Sequence, residues 1–227
     1  MSNKNIFKRT ELKYFLTKKQ YKRLLVTMKH YMTMDAYKRH KISNIYFDTP
    51  DFQIIRRSLE KPIYKEKLRI RKYNKNDFVF VELKKKYKGI VYKRRVAISD
   101  KQLNNNINNL NDDEQINREI KYFISCYDDI DARAYLSYDR DAYFSNDDED
   151  LRMTFDFNIR FRVDDVSLDE SENDNFVLDD DVVLLEVKTV FGYPKWFLDF
   201  LNENDIRKIS FSKYGVAYKK FVCEMRG

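Results

Sequence analysis

Hydrophobic and polar residues alternate along several segments of the chain. The clearest segment is "LRMTFDFNIRFRV", residues 151–163, in which every second residue from Leu151 to Val163 is apolar and the residues between are polar or charged. Alternate side chains of a β-strand point to opposite faces of the sheet, whereas a helix repeats about every 3.6 residues. The pattern therefore predicts a strand with one apolar face and one polar face.

Similar period-two patterns predict the other strands. They are found in the opening segment "FKRTELKYFL" and in "KISNIYFDT", "KEKLRIRKY", "DFVFVELKKK", "IVYKRRVAI" and "VVLLEVKT". Each of these segments has a period-two pattern and is long enough for a strand. Together with two strands that follow the second predicted helix, of which residues 151–163 form one, they bring the predicted total to about eight.

Apolar residues at helical spacing predict three or four helices. The first helix starts at a capping box of Thr17 and Gln20, and its apolar residues are Leu24, Leu25, Met28 and Met32. The second follows the acidic cluster "NDDE", which suits a helix N-terminus, and its apolar residues are Ile116, Ile120, Phe123, Ile124 and Tyr127. Pro194 opens a third helix, "PKWFLDFLNEN", whose packing residues are Trp196, Phe197, Phe200 and Leu201.

These elements predict an α+β fold. Eight mostly antiparallel strands can close into a β-barrel, which leaves no exposed sheet edge. The amphipathic helices would cover the apolar strand faces from outside, so the polar faces would line a tunnel. The 227 residues contain only four Gly and three Pro and no stretch typical of a linker, so we expect a single domain over residues 1–227. The acidic stretch 164–181 is predicted to be a solvated connection.

Composition favours an anionic partner. Lys and Arg outnumber Asp and Glu by 44 to 37, which gives a formal net charge of +7. The charges fall on several strands, and the sequence has no helix-turn-helix pattern or aromatic RNA-binding motif, so we expect no nucleic-acid partner. There is no segment typical of a signal peptide or a membrane span, so we expect a cytoplasmic protein. Cys126, Cys223, His30 and His40 lack the spacing of a disulfide framework or zinc site.

Six predicted strands carry charged residues on the same side. The sets are Glu11 and Lys13, Arg69 and Arg71, Glu82 and Lys84, Lys93 and Arg95, Arg152 and Asp156, and Glu186 and Lys188, with Arg140 and Lys213 as further candidates. Residues two apart on a strand are roughly 6 to 7 Å apart on one face. If these faces converge, so many like charges require an anionic ligand or counter-ions. Arg and Lys suit phosphate oxygens, and carboxylates among them could hold a divalent cation.

Ten motifs carry a resemblance to a known family. They are, in order, "RTELKY", "IYFDTPD", "LRIRKY", "VELKKK", "YKRR", "SYDRDAYF", "LRMTFDFNIR", "LLEVKT", "YPKWFLDFL" and "SFSKYG". Between about Arg9 and Lys213, the chain resembles the polyphosphate polymerase (VTC) domain of the triphosphate tunnel metalloenzymes, also called CYTH-like proteins. The resemblance implies an eight-stranded antiparallel tunnel lined by basic residues.

The resemblance also implies an activity and the residues that perform it. In this family the terminal phosphate of ATP is transferred to a growing polyphosphate chain with the help of a divalent metal, Mn²⁺ or Mg²⁺. Carried over by motif, the catalytic residues would be Arg69, Arg71, Arg140 and Glu186, with Glu186 also binding the metal. The phosphate-binding residues would be Lys13, Arg69, Arg71, Lys84, Lys93, Arg140, Ser212 and Lys213. Supporting residues would be Glu11, Glu82, Arg95, Tyr138, Arg152, Asp156 and Lys188.

Two departures from the family patterns bear on the activity. The wider superfamily opens with ExExK, but this chain has Arg9 in place of the first Glu, a loss that VTC-type members share. The change favours polymer synthesis or polyphosphate binding over two-metal hydrolysis. Ser210 stands where some polymerases carry a basic residue, which weakens the expectation of high polymerase activity.

The activity remains open between three hypotheses. The first is the polyphosphate polymerase, with ATP and inorganic polyphosphate or triphosphate as its partners. The second is an inorganic triphosphatase or tripolyphosphatase, in which water replaces the chain end as the acceptor. The third is a polyphosphate-binding module without catalysis. A membrane partner protein also stays open.

Overall fold

The computed structural model describes residues 10–73, 78–88, 90–99 and 114–223. The chain divides into two compact units. Unit 1 consists of Met1–His40, Asp139–Asn158 and Leu178–Phe211, and unit 2 consists of Lys41–Tyr138, Ile159–Val177 and Ser212–Gly227. Arg9, Asp77 and the residues 111–113 of the acidic "NDDE" cluster lie outside the described residues.

The structure contains strands and helices that follow one another along the described parts of the chain. In order they are β1 (Thr10–Thr17), α1 (Lys18–Met28), β2 (Met32–Met34), β3 (His40–Asp48), α2 (Gln53–Leu59), β4 (Tyr64–Tyr73), β5 (Phe78–Tyr87), β6 (Ile90–Ser99), α3 (Gln115–Ser125), β7 (Asp131–Ser145), β8 (Arg152–Arg162), β9 (Asn175–Phe176), β10 (Val182–Thr189), α4 (Lys195–Glu203), β11 (Lys208–Ile209), α5 (Lys213–Tyr218) and a π-helical turn (Lys219–Cys223). None of the helices in these described ranges has the length and apolar content that a membrane crossing needs.

Unit 1 is built on strands in the order β11, β1, β10, β8 and β7, with β2 paired to β7. Its core contains the apolar side of the alternating strands, including Met153 and Phe155 of β8 and Leu185 of β10, all fully buried. Helices α1 and α4 cover this side. The predicted capping box starts α1, because Thr17 Oγ1 accepts the Gln20 amide and Gln20 Oε1 accepts the Thr17 amide.

The strand order in unit 2 is β7, up to Tyr138, followed by β3, β4, β5 and β6. The short strand β9 pairs with β8 from Ile159 onward. The core of unit 2 contains Leu68 and Ile70 of β4 and Val81 and Leu83 of β5. Helix α3 packs on this apolar side through Ile116, Ile120, Phe123 and Ile124, and Tyr127, which was predicted in the helix but follows its end, packs there as well. Each of the two units therefore keeps one strand face apolar under helices and leaves the other face polar, as the alternation predicted.

The predicted α+β class with mostly antiparallel strands is confirmed. The strand total is eleven in the described residues, because the short strands β2, β9 and β11 were not predicted. Helices α2 and α5 were not predicted either. Closure is the part of the barrel prediction that is not seen, since in neither unit do the described strands close on themselves.

Helix α2 was not predicted because the side chain that caps it lies several residues before its first residue. The residue before it, Phe52, has a left-handed backbone with φ of 59° and makes no side-chain cap. Instead, the carboxylate of Asp48 accepts the Ile54 and Ile55 amides at 2.8 and 3.0 Å. Burial raises the pKa of Asp48, although these hydrogen bonds oppose the shift. Asp48 of the "IYFDTPD" motif therefore has a structural role, since it caps α2.

One side chain, Arg162, makes several hydrogen bonds to the acidic stretch 164–181. Arg162, which is buried, donates to the carbonyl oxygens of Asp165, Ser167 and Asp169 at 3.0, 3.0 and 2.7 Å. It also donates to the Asp174 carboxylate at 2.6 Å. Asp165 and Asp169 are nevertheless exposed, so the stretch is largely the solvated connection that was predicted, whereas Asp174 is buried against Arg162.

Candidate functional site

The polar side of β4, β5 and β6 forms a strongly basic surface in unit 2, here called the basic face. The strand register places its side chains in rows across the three strands. Eight cations and one carboxylate occupy these rows: Lys65, Lys67, Arg69, Arg71, Lys84, Lys86, Lys93, Arg95 and Glu82. Such a surplus of positive charge is costly unless an anion binds to it.

Glu82 is the centre of the ion pairs on the basic face. Its carboxylate lies 2.6 Å from Arg69 Nη2 and 2.6 Å from Lys93 Nζ, and 3.8 Å from Arg71 Nε. Burial alone would raise the pKa of Glu82, but Arg69, Arg71 and Lys93 outweigh it and lower the pKa to about 2. Glu82 is therefore ionised at neutral pH and holds three cations in place.

Arg71 connects this centre to a second group of residues in unit 2. Its Nε donates to Asn44 Oδ1 at 2.9 Å, and its Nη2 donates to the Tyr138 hydroxyl at 3.1 Å. The Nζ of Lys213, at the start of α5, lies 4.7 Å from the centre of the Tyr138 ring. Three predicted site residues from distant parts of the sequence, Arg71, Tyr138 and Lys213, thus lie together.

Tyr46 of β3 is a member of this site that the sequence did not reveal. It is buried, its hydroxyl accepts from Arg69 Nη1 at 3.1 Å, and its ring stacks on Tyr214 at 4.4 Å between centroids. Burial would raise the pKa of Tyr46, but Arg69, Lys67 and Arg71 lower it to about 7. The signal for it was the alternation in "KISNIYFDT", which puts Tyr46 on the same side as Asn44.

Three other predicted residues of unit 2 lie on the basic face or at the start of α5. Lys84 is half-buried and lies opposite Lys93 in the register. Arg95 is exposed, with its guanidinium carbon 4.7 Å from the centre of the Phe80 ring. Ser212 Oγ accepts the Gly215 amide at 3.3 Å and so caps α5, which begins with Lys213.

The polar side of unit 1 carries a different set of charges, here called the mixed face. It consists of Glu11, Lys13, Arg140, Arg152, Asp156, Glu186 and Lys188. Arg140 makes two hydrogen bonds to the fully buried Asp156, at 2.6 and 2.7 Å, and a longer one to Glu186 at 3.3 Å. This bidentate pair fixes the plane of the guanidinium.

Lys13 ties β1 to β10 on the mixed face. Its Nζ lies 3.2 Å from Glu186 and 3.6 Å from Glu11, and it donates to the Phe211 carbonyl at 2.9 Å. Lys188 lies 3.7 Å from the other oxygen of Glu11. Arg152 is exposed and faces Lys188 in the register. Apart from Arg152, the predicted residues of unit 1 thus form one network of ion pairs.

Comparison with known proteins identifies the family. The model of the VTC domain matches residues 8–222. The chain belongs to the VTC domain family. No match was found among curated proteins.

Solved structures with a similar fold support this VTC domain's architecture. One is a candidate adenylate cyclase from Bacillus halodurans, 15% identical, with a TM-score of 0.58 over 93% of this chain and 96% of that one. Another is a candidate adenylyl cyclase from Hippeastrum with a dominant triphosphatase activity. It is 17% identical, with a TM-score of 0.56 over 92% of this chain and 95% of the other. At these identities the likeness concerns the fold.

The VTC domain offers a limited set of oxygen ligands for a metal ion. In the described ranges, no group of three or more Asp, Glu, His or Cys side chains is arranged to hold a metal. Glu11 and Glu186 both contact Lys13 Nζ, at 3.6 and 3.2 Å, so the two carboxylates lie on the same part of the mixed face. Carboxylate oxygens are the protein ligands that Mg²⁺ and Mn²⁺ prefer, and phosphate oxygens and water often complete the shell.

Proposed function

We propose that this VTC domain is a metal-dependent polyphosphate polymerase, which transfers the terminal phosphate of ATP to a polyphosphate chain. The observation that supports this most strongly is the basic face, on which eight cations occupy the same side of three strands as a single carboxylate. A face of this kind suits a ligand that carries many negative charges, and Arg and Lys are the side chains best suited to phosphate oxygens. Membership of the VTC family points to the same substrate class.

In unit 2, Arg69 and Arg71 would bind the non-bridging phosphate oxygens and stabilise the charge that develops on them during transfer. Phosphoryl transfer requires mainly positioning and charge stabilisation from the protein. Glu82 and Asn44 hold the two guanidinium groups in place before the ligand arrives. Lys84, Lys93 and Lys213 would add point charges. Ser212 would donate its hydroxyl proton to a phosphate oxygen, because the cap of α5 uses only a lone pair of that hydroxyl.

In unit 1, Glu186 and Glu11 would hold the divalent metal, which would supply charge neutralisation on the phosphates. Lys13 would bind a phosphate oxygen with a proton not used by the Phe211 carbonyl. Arg140 would contact phosphate with its remaining donors while Asp156 keeps its plane fixed. No Ser, Cys or His nucleophile is required in this mechanism.

The test is to incubate the protein with ATP and Mn²⁺ and to measure polymer formation and phosphate release. We expect polymer growth, and we expect Glu186→Gln to lose most of the metal-dependent activity. Glu203→Gln, an exposed change on α4, is the matched control and should stay active. Neither polymer nor ATP turnover in the unmodified protein would refute the proposal.

A triphosphatase is the second candidate function. The Hippeastrum protein of similar fold has a dominant triphosphatase activity, which favours this alternative. Release of orthophosphate from tripolyphosphate or ATP without polymer growth would select it. A polyphosphate-binding module without catalysis is the third, and it predicts that Glu186→Gln binds polyphosphate as well as the unmodified protein while neither turns over ATP.

Two further parts of the proposal concern organisation and location. We propose that the chain acts as a single domain in the cytoplasm and binds no nucleic acid. Domain organisation could be checked by thermal unfolding, in which one cooperative transition is expected. Separate transitions for the two units would contradict the single-domain prediction.

A further inference from the structure

The basic face continues beyond the residues to which a phosphate-binding role is assigned above. On β4 its cations are two residues apart, from Arg71 through Arg69 and Lys67 to Lys65. A strand advances about 6 to 7 Å over two residues, so this line of charge is about 20 Å long. At its far end Lys65 lies directly opposite Lys86 of β5. This end belongs to none of the ion pairs centred on Glu82.

Within the part of the chain that the structure describes, no carboxylate is paired with the lysines at this end. None of the ion pairs found among the described residues involves Lys61, Lys65 or Lys86. The polar contact of Lys65 Nζ is a long one, 3.4 Å to the Ser58 carbonyl. Burial lowers the pKa of Lys65, and Lys86 and Lys61 lower it further.

Glu66, which follows Lys65 in the sequence, does not relieve the repulsion between Lys65 and Lys86. It lies on the opposite side of β4, where its carboxylate accepts hydrogen bonds from the Tyr64 and Tyr127 hydroxyls at 2.5 and 2.9 Å. Like charges directly opposite each other on neighbouring strands destabilise a sheet. The pair Lys65 and Lys86 therefore has a cost that an anionic ligand would remove.

The arrangement favours a linear polyanion over a compact one. A single phosphate group can contact one row of the face, whereas a long chain can lie along several rows. Exposed aromatic residues at this end, Tyr64, Tyr87 and Tyr92, are on the opposite side of the strands by alternation. Bases of single-stranded nucleic acid commonly stack on aromatic rings, and the lysine side offers none at these positions.

We propose that Lys65 and Lys86, with Lys61 beside them, form a subsite for the distant part of a linear inorganic polyphosphate chain. The inference rests on the proposed function for its ligand class. The subsite binds chain segments away from the end held by Arg69, Arg71 and Lys93. It makes the protein select long chains over short ones, because only a long chain reaches both groups of cations.

The test compares long-chain polyphosphate with tripolyphosphate by calorimetric titration of the full chain without metal. We expect the double variant Lys65→Ala with Lys86→Ala to weaken long-chain binding about 10-fold or more and to leave tripolyphosphate binding unchanged. The control, Lys72→Ala with Lys85→Ala, removes the same charge from the opposite side of the same two strands. Lys65→Arg with Lys86→Arg should restore long-chain binding.

The proposal is overturned by an equal loss for both ligands, by an equal loss in the control, or by no long-chain binding in the unmodified protein. A larger loss for a single-stranded RNA oligonucleotide than for polyphosphate would also overturn it and would assign the lysines to nucleic acid. Failure of the proposed function gives a different result. In that case ATP is not converted, but long-chain binding still depends on Lys65 and Lys86.

Discussion

The basic face of unit 2 and the mixed face of unit 1 arise from the same strand alternation but differ in charge balance. On the mixed face, four cations meet three carboxylates. Arg140 contacts two carboxylates, and Lys13 contacts two carboxylates and a backbone carbonyl. On the basic face, the single carboxylate of Glu82 forms ion pairs with three cations. A balanced set is stable by itself, whereas an unbalanced set gains stability from an anionic ligand.

The strongest test of this comparison is to remove the central acid of each face. Glu82→Gln leaves Arg69, Arg71 and Lys93 together without a counter-ion, so we expect a loss of about 3 to 5 kcal/mol in the free energy of unfolding. Asp156→Asn should lower the free energy of unfolding by less, because Arg140 would still contact the Glu186 carboxylate, which lies 3.3 Å away. Urea unfolding measures both changes.

Added polyphosphate should separate these two variants further. We expect it to recover much of the stability lost in Glu82→Gln, because the ligand takes over the role of the counter-ion. Asp156→Asn should recover little. Equal losses and equal recovery would show that the two faces do not differ in the way we infer.

The next largest effect is expected for ligand binding by the two arginines. Arg71→Ala should weaken tripolyphosphate binding about 10 to 100-fold without metal, as expected for the loss of a charge-assisted contact. Arg140→Ala should weaken it less, because Asp156 and Glu186 already accept hydrogen bonds from its guanidinium. Isothermal titration calorimetry measures the dissociation constant of tripolyphosphate for both variants, and Arg207→Ala, a change at an exposed residue, is the control. A larger effect for Arg140 would reverse the comparison.

Tyr46 provides a pH dependence that is specific to the basic face. Its pKa in the folded state, about 7, lies below the ordinary value of 10. Ionised Tyr46 therefore stabilises the fold, fully above pH 10, and this contribution is lost as the pH falls through about 7. Between pH 7 and pH 8 it should raise the free energy of unfolding by about 1 kcal/mol.

This prediction is checked by urea unfolding at both pH values and by tyrosinate absorbance. Tyr46→Phe should abolish the difference between the two pH values. Tyr21 of unit 1 is the matched comparison, because burial and the Asp141 carboxylate raise its pKa. Tyr21→Phe should therefore leave the dependence between pH 7 and pH 8 intact. An unchanged dependence in Tyr46→Phe would assign it to another group.

The smallest effects are expected at the helix caps of the two units. Thr17→Ala removes a complete capping box from α1 and should cost about 1 kcal/mol in the free energy of unfolding, with no change in phosphate binding. Ser212→Ala removes one longer hydrogen bond from α5 and should cost about 0.5 kcal/mol. It should also weaken tripolyphosphate binding slightly, because the hydroxyl that would donate to a phosphate oxygen is lost. Equal binding by both variants would leave Ser212 without a role in the site.

The sequence predicted those parts of the molecule that depend on residues close together in the chain. Alternation is a local property, so it correctly assigned Met153 and Phe155 to a core and the charged residues of the same strand to the opposite side. Helix α1 was predicted for the same reason, since Thr17 and Gln20 are three residues apart. Parity also grouped Arg69 with Arg71 and Lys13 with Glu11.

Other parts depend on contacts between residues far apart in the chain. Asp48 supports α2 across several residues and also accepts a hydrogen bond from Tyr214 at 3.1 Å, which no local pattern reveals. The importance of Tyr46 follows from its contact with Arg69, which depends on the register of β3 and β4. Strand order likewise could not be obtained from alternation, because many pairings satisfy the same pattern. The roles of the site residues remain predictions.

Arg162 has a consequence for how the acidic stretch behaves. Its guanidinium gathers three carbonyl oxygens and a carboxylate, the ligands with which many proteins surround a calcium ion. The Arg162 guanidinium therefore takes the place of a metal ion in this loop and, as part of the chain, cannot dissociate. Chelators should leave the order of the loop untouched. The local structure of this acidic segment is accordingly independent of the metal supply that the proposed chemistry requires.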